Sequence, residues 1–269
     1  MRQFFFIHVF LLLSALVGAQ NDSSFQLVKT IKGDIVDFTV DNLGNIYLFT
    51  SSDQLKKLNA NGDSVAVFNN VRKFGKVSYI DVSNPLHVLL YYKDFATIVV
   101  LDRLLNIRNT IDLRQQNIFQ VQAIGLSYDS KIWLYDELEN KLKKIDEDGK
   151  LLFETSDFRQ LFEQSPVPTD IYDQDGFIYL YDTLRGVFVF DYYGALKNRI
   201  PLIGWKNFKV AGKYLFGTKN DSLFRYQPAL FFEQGLPLPI DFRHANSINF
   251  TSNGAYTLKK DELEIYSLR

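Results

Sequence analysis

Short runs of apolar residues alternate with polar turns along most of the chain. The stretch 173–194 shows the unit: the turn dipeptide Asp175-Gly176, an aromatic run over 177–181, a polar break over 183–186 and a second apolar run over 187–191. Aromatic and β-branched residues favour strands, and Asp-Gly favours the turn that precedes one. The unit therefore predicts two adjacent antiparallel strands.

The same unit recurs at intervals of about 40 residues, which indicates a repeat architecture. Copies occupy 41–63, 82–102, 127–150, 173–194, 210–228 and 251–269. An apolar anchor marks the first strand of each copy, at Tyr47, Leu90, Trp133, Tyr179, Leu215 and Tyr256. A second anchor follows about 11 residues later, at Leu58, Leu101, Ile145, Phe190, Tyr226 and Tyr266. This near-constant offset supports a structural repeat.

A further short strand precedes each copy, and an outer strand follows most of them, including one expected over 229–234. Four strands for each period of about 40 residues are typical of a β-propeller blade. The sixth copy ends without an outer strand, whereas the strand 25–31 precedes the first copy. We therefore predict an all-β fold: a six-bladed β-propeller closed by pairing of the N-terminal strand with the C-terminal blade.

The repeat also resembles a known family. The pattern Asp-x-x-Gly-x-Ile-Tyr-Leu, followed by Leu-x-Lys-Leu and a closing Asx-x-x-Gly, is similar to the NHL-type repeats of six-bladed propellers, especially those in exported proteins of the Bacteroidetes. Its best matches are 41–62, 127–149 and 173–194. The resemblance implies the fold and an exported protein. It implies no activity, because such repeats occur in enzymes, sensors and interaction platforms.

The N-terminus predicts export. Arg2 precedes an apolar run over 4–16, and small residues end at Ala19, so residues 1–19 are expected to be a signal peptide. Residues 20–269 form a single propeller domain in this prediction, with no transmembrane segment in the mature chain. The chain contains no cysteine, which favours a bacterial periplasm or surface over a eukaryotic secreted setting. The near-zero net charge and the lack of basic runs indicate no nucleic-acid partner.

Candidate chemistry is sparse. His87 and His244 are too far apart in the sequence to suggest a metal site, and no nucleophile motif or phosphate-binding loop is present. Four acids, Asp37, Asp81, Asp170 and Asp173, fall on or beside the innermost strands and are predicted to face the channel. Such acids could serve a propeller lyase or glycosidase, or hold Ca²⁺. Asp and Asn are also common turn residues, and we predict no catalytic residue, metal or cofactor.

Two apolar segments between copies are candidate partner-binding sites. Pro237 and Pro239 alternate with apolar residues over 236–240, and proline cannot continue a central ladder. An exposed apolar segment there would indicate docking. The candidate partner-binding residues are Trp205, Phe231, Phe232, Leu236, Pro237 and Leu238.

Together these features predict a non-catalytic, exported scaffold module that binds protein partners in the bacterial envelope. Its expected place is the periplasm or outer membrane of a Gram-negative bacterium, as an accessory subunit of a secretion or import complex. Two alternatives stay open: a propeller enzyme with acids in its channel, and a small-ligand sensor.

Overall fold

The computed structural model describes residues 25–69, 71–251 and 254–268 and forms six four-stranded antiparallel sheets. Blade 1 contains β2 (Asp37–Val40), β3 (Ile46–Phe49), β4 (Leu55–Leu58) and β5 (Ser64–Phe68). Blade 2 contains β6 (Tyr79–Asn84), β7 (His87–Tyr92), β8 (Thr97–Leu101) and β9 (Ile107–Asp112). Blade 3 contains β10 (Val121–Leu126), β11 (Ile132–Asp136), β12 (Lys141–Ile145) and β13 (Leu151–Glu154).

The remaining three blades repeat this order. Blade 4 contains β14 (Asp170–Gln174), β15 (Phe177–Asp182), β16 (Gly186–Asp191) and β17 (Leu196–Ile200). Blade 5 contains β18 (Lys206–Ala211), β19 (Tyr214–Lys219), β20 (Ser222–Gln227) and β21 (Phe232–Pro237). Blade 6 contains β22 (Ser247–Thr251), β23 (Gly254–Lys259), β24 (Glu262–Leu268) and the N-terminal strand β1 (Phe25–Lys32).

Among the described residues, helical structure is confined to short connections. The two single-turn α-helices are α1 (Val71–Phe74) and α2 (Phe158–Leu161). Four 3₁₀ turns cover Lys93–Phe95, Leu113–Gln116, Pro228–Leu230 and Ile240–Phe242. No helix in the described ranges has the length and hydrophobicity needed to cross a bilayer. The region predicted as a signal peptide, 1–19, lies outside the described residues.

The ring closes as predicted. β1 pairs with β24 in antiparallel register, from Phe25 opposite Leu268 to Lys32 opposite Glu262. The first strand of the described chain thus supplies the outer strand of the last blade. This pairing confirms the six-bladed propeller and its closure by the N-terminal strand.

Apolar side chains from neighbouring blades form the core between them. All six second-strand anchors pack against the preceding blade, or against the segment that follows that blade: Leu58, Leu101, Ile145, Phe190, Tyr226 and Tyr266. They therefore occupy equivalent positions. Four first-strand anchors face the following blade instead: Tyr47, Trp133, Tyr179 and Tyr256. The second anchor therefore marks one structural position throughout the ring.

Two first-strand anchors, Leu90 and Leu215, lie on the other face of their sheets. Leu90 packs against blade 1 and Leu215 packs against blade 4, so both face the preceding blade. The run His87–Tyr92 is apolar on both sides of the sheet, and Leu215 is likewise flanked by aromatic residues. Sequence alternation cannot fix the register of a strand that is apolar on both faces.

Blades 3 and 4 approach each other most closely at a glycine. A Cβ atom on Gly125 of β10 would lie 2.4 Å from the backbone oxygen of Ile171 on β14. A backbone atom in a paired strand cannot move aside cheaply, so Gly125 is required by the distance between the two inner strands.

We expect Gly125→Ala to lower the free energy of unfolding by about 2 kcal/mol or more, because the added methyl overpacks this contact. Ser64→Ala is the control, since Ser64 is an exposed strand residue at the start of β5. That variant should stay within about 0.5 kcal/mol of the parent. Urea unfolding of both variants measures the difference, and equal stabilities would contradict this account of the packing.

Candidate functional site

A cavity of about 480 Å³ follows the axis of the ring. The inner strands β2, β6, β14, β18 and β22 line it, whereas no residue of β10 does. Blade 3 instead packs its inner strand tightly between those of blades 2 and 4, as the close approach at Gly125 shows. The cavity, called the axial cavity below, is therefore displaced toward the other blades.

Two of the four predicted acids line this cavity. Asp37 accepts a hydrogen bond from the Phe38 backbone N–H at 2.8 Å. The residue as a whole is exposed, but the surrounding protein partly desolvates its carboxyl, and this raises the pKa of Asp37. Asp81 is buried and accepts bonds from the backbone N–H groups of Ser83 and Leu126, each at 2.7 Å. Because Leu126 belongs to blade 3, Asp81 ties two inner strands together and has a structural role.

The other two acids do not line the cavity. Asp170 stands at the start of β14 and accepts a bond from the Thr169 hydroxyl at 2.7 Å. Asp173 points into the seam between blades 3 and 4, where it accepts bonds from Ser127, Trp133 and Tyr192. Successive side chains alternate across a strand, so Tyr172 and Gln174 face the cavity and Asp173 cannot. The prediction that all four acids face the channel is therefore corrected.

The side chain that most distinguishes the cavity is one that the sequence analysis did not select. Lys209 of β18 extends its ammonium toward blades 6 and 1, where Nζ lies 3.5 Å from Asn249 Oδ1 and 3.5 Å from the Val40 carbonyl oxygen. Burial lowers the pKa of Lys209, partly opposed by the charges of Asp81 and Asp41. The sequence signal that could have identified Lys209 is the presence of a lysine on an innermost strand, because these strands face other blades.

The cavity does not assemble a metal site. Within residues 25–69, 71–251 and 254–268, no group of three or more His, Asp or Glu side chains has the arrangement to hold an ion. His87 lies on blade 2 beside Glu147 and Arg108, and neither His87 nor His244 lines the cavity. The acids of the cavity therefore do not form the ring of oxygen ligands that Ca²⁺ requires.

A second candidate site lies on the outside of blade 5. Its exposed apolar residues, called the blade 5 edge surface below, are Leu230, Phe231, Phe232, Leu236, Pro237 and Ile240. Phe231 is 75% exposed, and Phe232 and Leu236 are half-exposed. The outer strand begins at Phe232 rather than near Ala229, because Pro228 starts a 3₁₀ turn that ends with Phe231 in the left-handed region. Pro237 lies at the end of this edge strand, where a missing N–H is tolerated.

Two predicted partner-binding residues are not accessible. Trp205 is only 4% exposed: its indole stacks on Phe224 at 5.6 Å and fills the space left by Gly217, while its carbonyl accepts a bond from Tyr181. Leu238 is 6% exposed and packs with Phe242 beneath the seam between blades 5 and 6. Both residues are core residues, which corrects their predicted place on a docking surface.

Register places the blade 5 edge surface beside one particular seam. Leu236 lies opposite Leu223, which packs against the cluster of Phe242 and Tyr266. Leu27 of β1 lies opposite Tyr266, and residues directly opposite in an antiparallel pair share a face. Leu236 and the exposed Leu27 therefore lie on the two facing sides of the seam between blades 5 and 6.

Comparison with solved structures supports the propeller fold, whereas comparison with sequences finds no match. No protein-family model and no curated protein sequence matches the chain. Among solved structures, virginiamycin B lyase from Staphylococcus aureus aligns with a TM-score of 0.64 at 13% identity, covering 91% of this chain and 100% of that one. The Neurospora crassa Pan2 WD40 domain aligns with a TM-score of 0.63 at 8% identity, covering 91% and 95%.

The chain shares their propeller fold. The WD40 propeller of Doa1 is a further match, with a TM-score of 0.56 at 12% identity and coverage of 91% and 97%. These identities are too low to carry a function from any of these proteins to this one. WD40 domains and a streptogramin B lyase both occur among the matches, so the comparisons show the propeller fold and no particular activity.

Asp170 gives the stability of the protein a measurable pH dependence. Burial raises the pKa of Asp170 to about 6, above its ordinary value of 3.8. The folded state therefore favours the protonated carboxyl, and the stability this provides is lost as the pH rises from about 4 through 6. We expect Asp170→Asn to stabilise the protein at pH 8 by up to about 3 kcal/mol and to have a smaller effect at pH 5.

Urea unfolding at both pH values measures this difference. Asp53→Asn, at an exposed turn position, controls for the change in net charge. An effect of Asp170→Asn that is the same at pH 5 and pH 8 would contradict the raised pKa.

Proposed function

We propose that this protein is a non-catalytic scaffold that binds an extended segment of a partner protein along the blade 5 edge surface. The observation that carries the proposal is the concentration of exposed apolar residues at this one outer strand. Five large apolar side chains between Leu230 and Ile240 are about half exposed or more. Contiguous exposed apolar residues on a soluble domain commonly mark an interaction site.

The strand itself supplies a second reason. β21 is the outermost strand of its sheet, so one side of its backbone has no neighbouring strand. Edge strands often carry basic residues that discourage pairing with another chain. The outer strands of blades 2, 4 and 6 contain Lys or Arg, whereas β21, with the sequence FEQGLP, contains neither, as is also the case for β5 and β13. An added strand from a partner would satisfy these backbone groups and cover Phe232 and Leu236.

Charge indicates what kind of segment fits. The stretch 227–242 contains Glu233 and Asp241 but no Lys or Arg. A partner segment with apolar residues flanked by basic ones would match both features. We therefore expect the partner to present an apolar strand with Lys or Arg at its ends.

The enzyme alternative receives less support from the site. One of the aligned structures is a catalytically inactive H270A variant of virginiamycin B lyase, so a histidine is needed for activity in that protein. Neither His87 nor His244 lines the axial cavity of this chain. Two of the four predicted acids, Asp81 and Asp173, accept hydrogen bonds from residues of the neighbouring blade 3, which is a structural role. The scaffold role accounts for more of the exposed features.

The proposed setting is the bacterial envelope. A signal-like N-terminus, the lack of cysteine and the resemblance to NHL-type propellers of exported Bacteroidetes proteins support it. In this proposal the protein is periplasmic or associated with the outer membrane, and it serves as an accessory subunit of a secretion or import complex.

Site-specific photo-crosslinking tests the docking surface. A photoreactive residue replaces Phe231 in one variant and Leu184 in another; both positions are 75% exposed, but Leu184 lies on a turn of blade 4. In cells that make the protein, position 231 should give a discrete partner adduct that position 184 does not give. Identical adducts from both positions, or no adduct from position 231, would count against the proposal.

A second pair of variants tests the contribution of the edge strand. Phe232→Ser combined with Leu236→Ser should lower affinity for the captured partner by tenfold or more, as expected for a hot spot. The half-exposed positions predict a small change in Tm, which separates lost binding from unfolding. Undiminished affinity in the folded double variant would show that the partner binds elsewhere.

A further inference from the structure

The axial cavity contains more hydrogen-bonding capacity than the fold uses. Both contacts of the Lys209 ammonium are 3.5 Å long, whereas ordinary N–H···O bonds are about 2.9–3.0 Å. An ammonium has three donors, and no carboxylate in the described part of the chain forms an ion pair with Lys209. At least one donor is therefore available to a molecule in the cavity.

The neighbouring groups are similarly underused. Asn249 Nδ2 donates to Thr39 Oγ1 over 3.4 Å, which is also a long contact. Blades 5, 6 and 1 thus bring three polar side chains together with only long bonds among them. On β2, Asp37 accepts one hydrogen bond from the part of the chain that the structure describes, donated by the Phe38 backbone, and its carboxylate offers further acceptor positions. Donors and acceptors both face the same space.

Aromatic side chains form the rest of the wall. Tyr79, Tyr172, Phe216 and Phe250 line the cavity. Its volume of about 480 Å³ lies in the range of small-molecule sites, which combine an apolar wall with a few placed polar groups. The size and the lining suit a ligand with a ring-shaped body and several polar substituents.

The lining carries charges of both signs, which disfavours a ligand with a single strong charge. An anion would meet the carboxylates of Asp37, Asp41 and Asp81, and a cation would meet Lys209. Burial lowers the pKa of Lys209 and raises that of Asp37, so the site weakens charge of either sign. Asp41 is committed to Asn45 and Tyr47, and Asp81 to two backbone N–H groups. Hydroxyl groups, which both donate and accept, match such a mixed lining.

We propose that the axial cavity binds a small neutral polyhydroxylated ligand of the saccharide class, and that Lys209 is its central hydrogen-bond donor. Asn249 and Thr39 position the Lys209 ammonium, Asp37 accepts from a ligand hydroxyl, and the aromatic wall contacts the ring. This site is separate from the blade 5 edge surface, and its ligand is independent of any partner bound there.

Ligand titration tests the proposal with probes that differ only in charge. The panel consists of neutral hexoses and their disaccharides, with glucuronate and glucosamine as the anionic and cationic counterparts of glucose. Binding to the full chain is measured by isothermal titration and by saturation-transfer NMR. At least one neutral sugar should bind, and each charged counterpart should bind at least tenfold more weakly than glucose where glucose binds.

Lys209→Met and Lys206→Met form the matched pair of variants. Both residues lie on β18, but Lys206 is exposed and does not line the cavity. Lys209→Met should weaken sugar binding at least tenfold, because it removes a charged donor, and Lys206→Met should leave it unchanged. Thermal unfolding of each variant confirms that the comparison is between folded proteins.

Three results would overturn the inference: no neutral sugar binds, a charged counterpart binds more tightly than glucose, or Lys209→Met binds as well as the parent. Crosslinking from position 231 distinguishes the two proposals. It should be unaffected in Lys209→Met, so failure of the saccharide site leaves the docking proposal intact, and the reverse also holds.

Discussion

Burial of both faces of each blade is the constraint on which this structure depends. Strands such as β7, β8 and β16 are apolar on both sides, and their residues pack into two different inter-blade clusters. A sheet of this kind cannot be stable with one face in water, because large apolar side chains would stay exposed. A closed ring covers every blade on both faces. Closure requires a complete sixth blade, and β1 completes it by pairing with β24.

Closure of the ring also determines where function can reside. Covering the faces leaves as free surface the inner strands around the axis, the outer strand of each blade and the turns that connect the strands. Polar side chains accumulate at the axis, where Asp81, Tyr172 and Asn249 connect neighbouring blades by hydrogen bonds. Lys209 lies at the same level but has only long contacts. On the outside, β21 exposes Phe232 and Leu236 and, like β5 and β13, contains no basic residue.

The sequence allowed the ring to be predicted because its turns and second-strand anchors are regular. Gly44, Gly149 and Gly194 all have positive φ, so turn geometry selects the residues that mark each copy. The first-strand anchors Leu90 and Leu215 face the preceding blade, unlike the other four, since an all-apolar strand has no polar position to fix its register. The strand β21 begins later than the expected start at residue 229 because of the 3₁₀ turn at Pro228, which a strand pattern does not reveal.

The candidate sites were harder to predict because they depend on contacts between distant segments. Trp205 is buried because Gly217, twelve positions later, leaves room for its indole, and nothing local in the sequence indicates this. Asp173 points into the seam between blades 3 and 4 and Asp170 bonds to Thr169 at the start of the same strand, so strand placement alone could not show which acids reach the channel. The candidate role of Lys209 depends on groups of blades 6 and 1, which are distant from it in the sequence. Phe231, Phe232 and Leu236, in contrast, are exposed in a local apolar segment that is visible in the sequence.

The most direct test of the central claim is amide hydrogen exchange of β1. If ring closure stabilises every blade, the β1 amides that pair with β24 should exchange only with global unfolding, at the same free energy as amides of the inner strands. The amide of Ile31, which lies opposite Leu263, would then show the protection of those in β10. Exchange of the β1 amides orders of magnitude faster than those of β10, in an otherwise protected protein, would contradict the claim that closure holds the fold together.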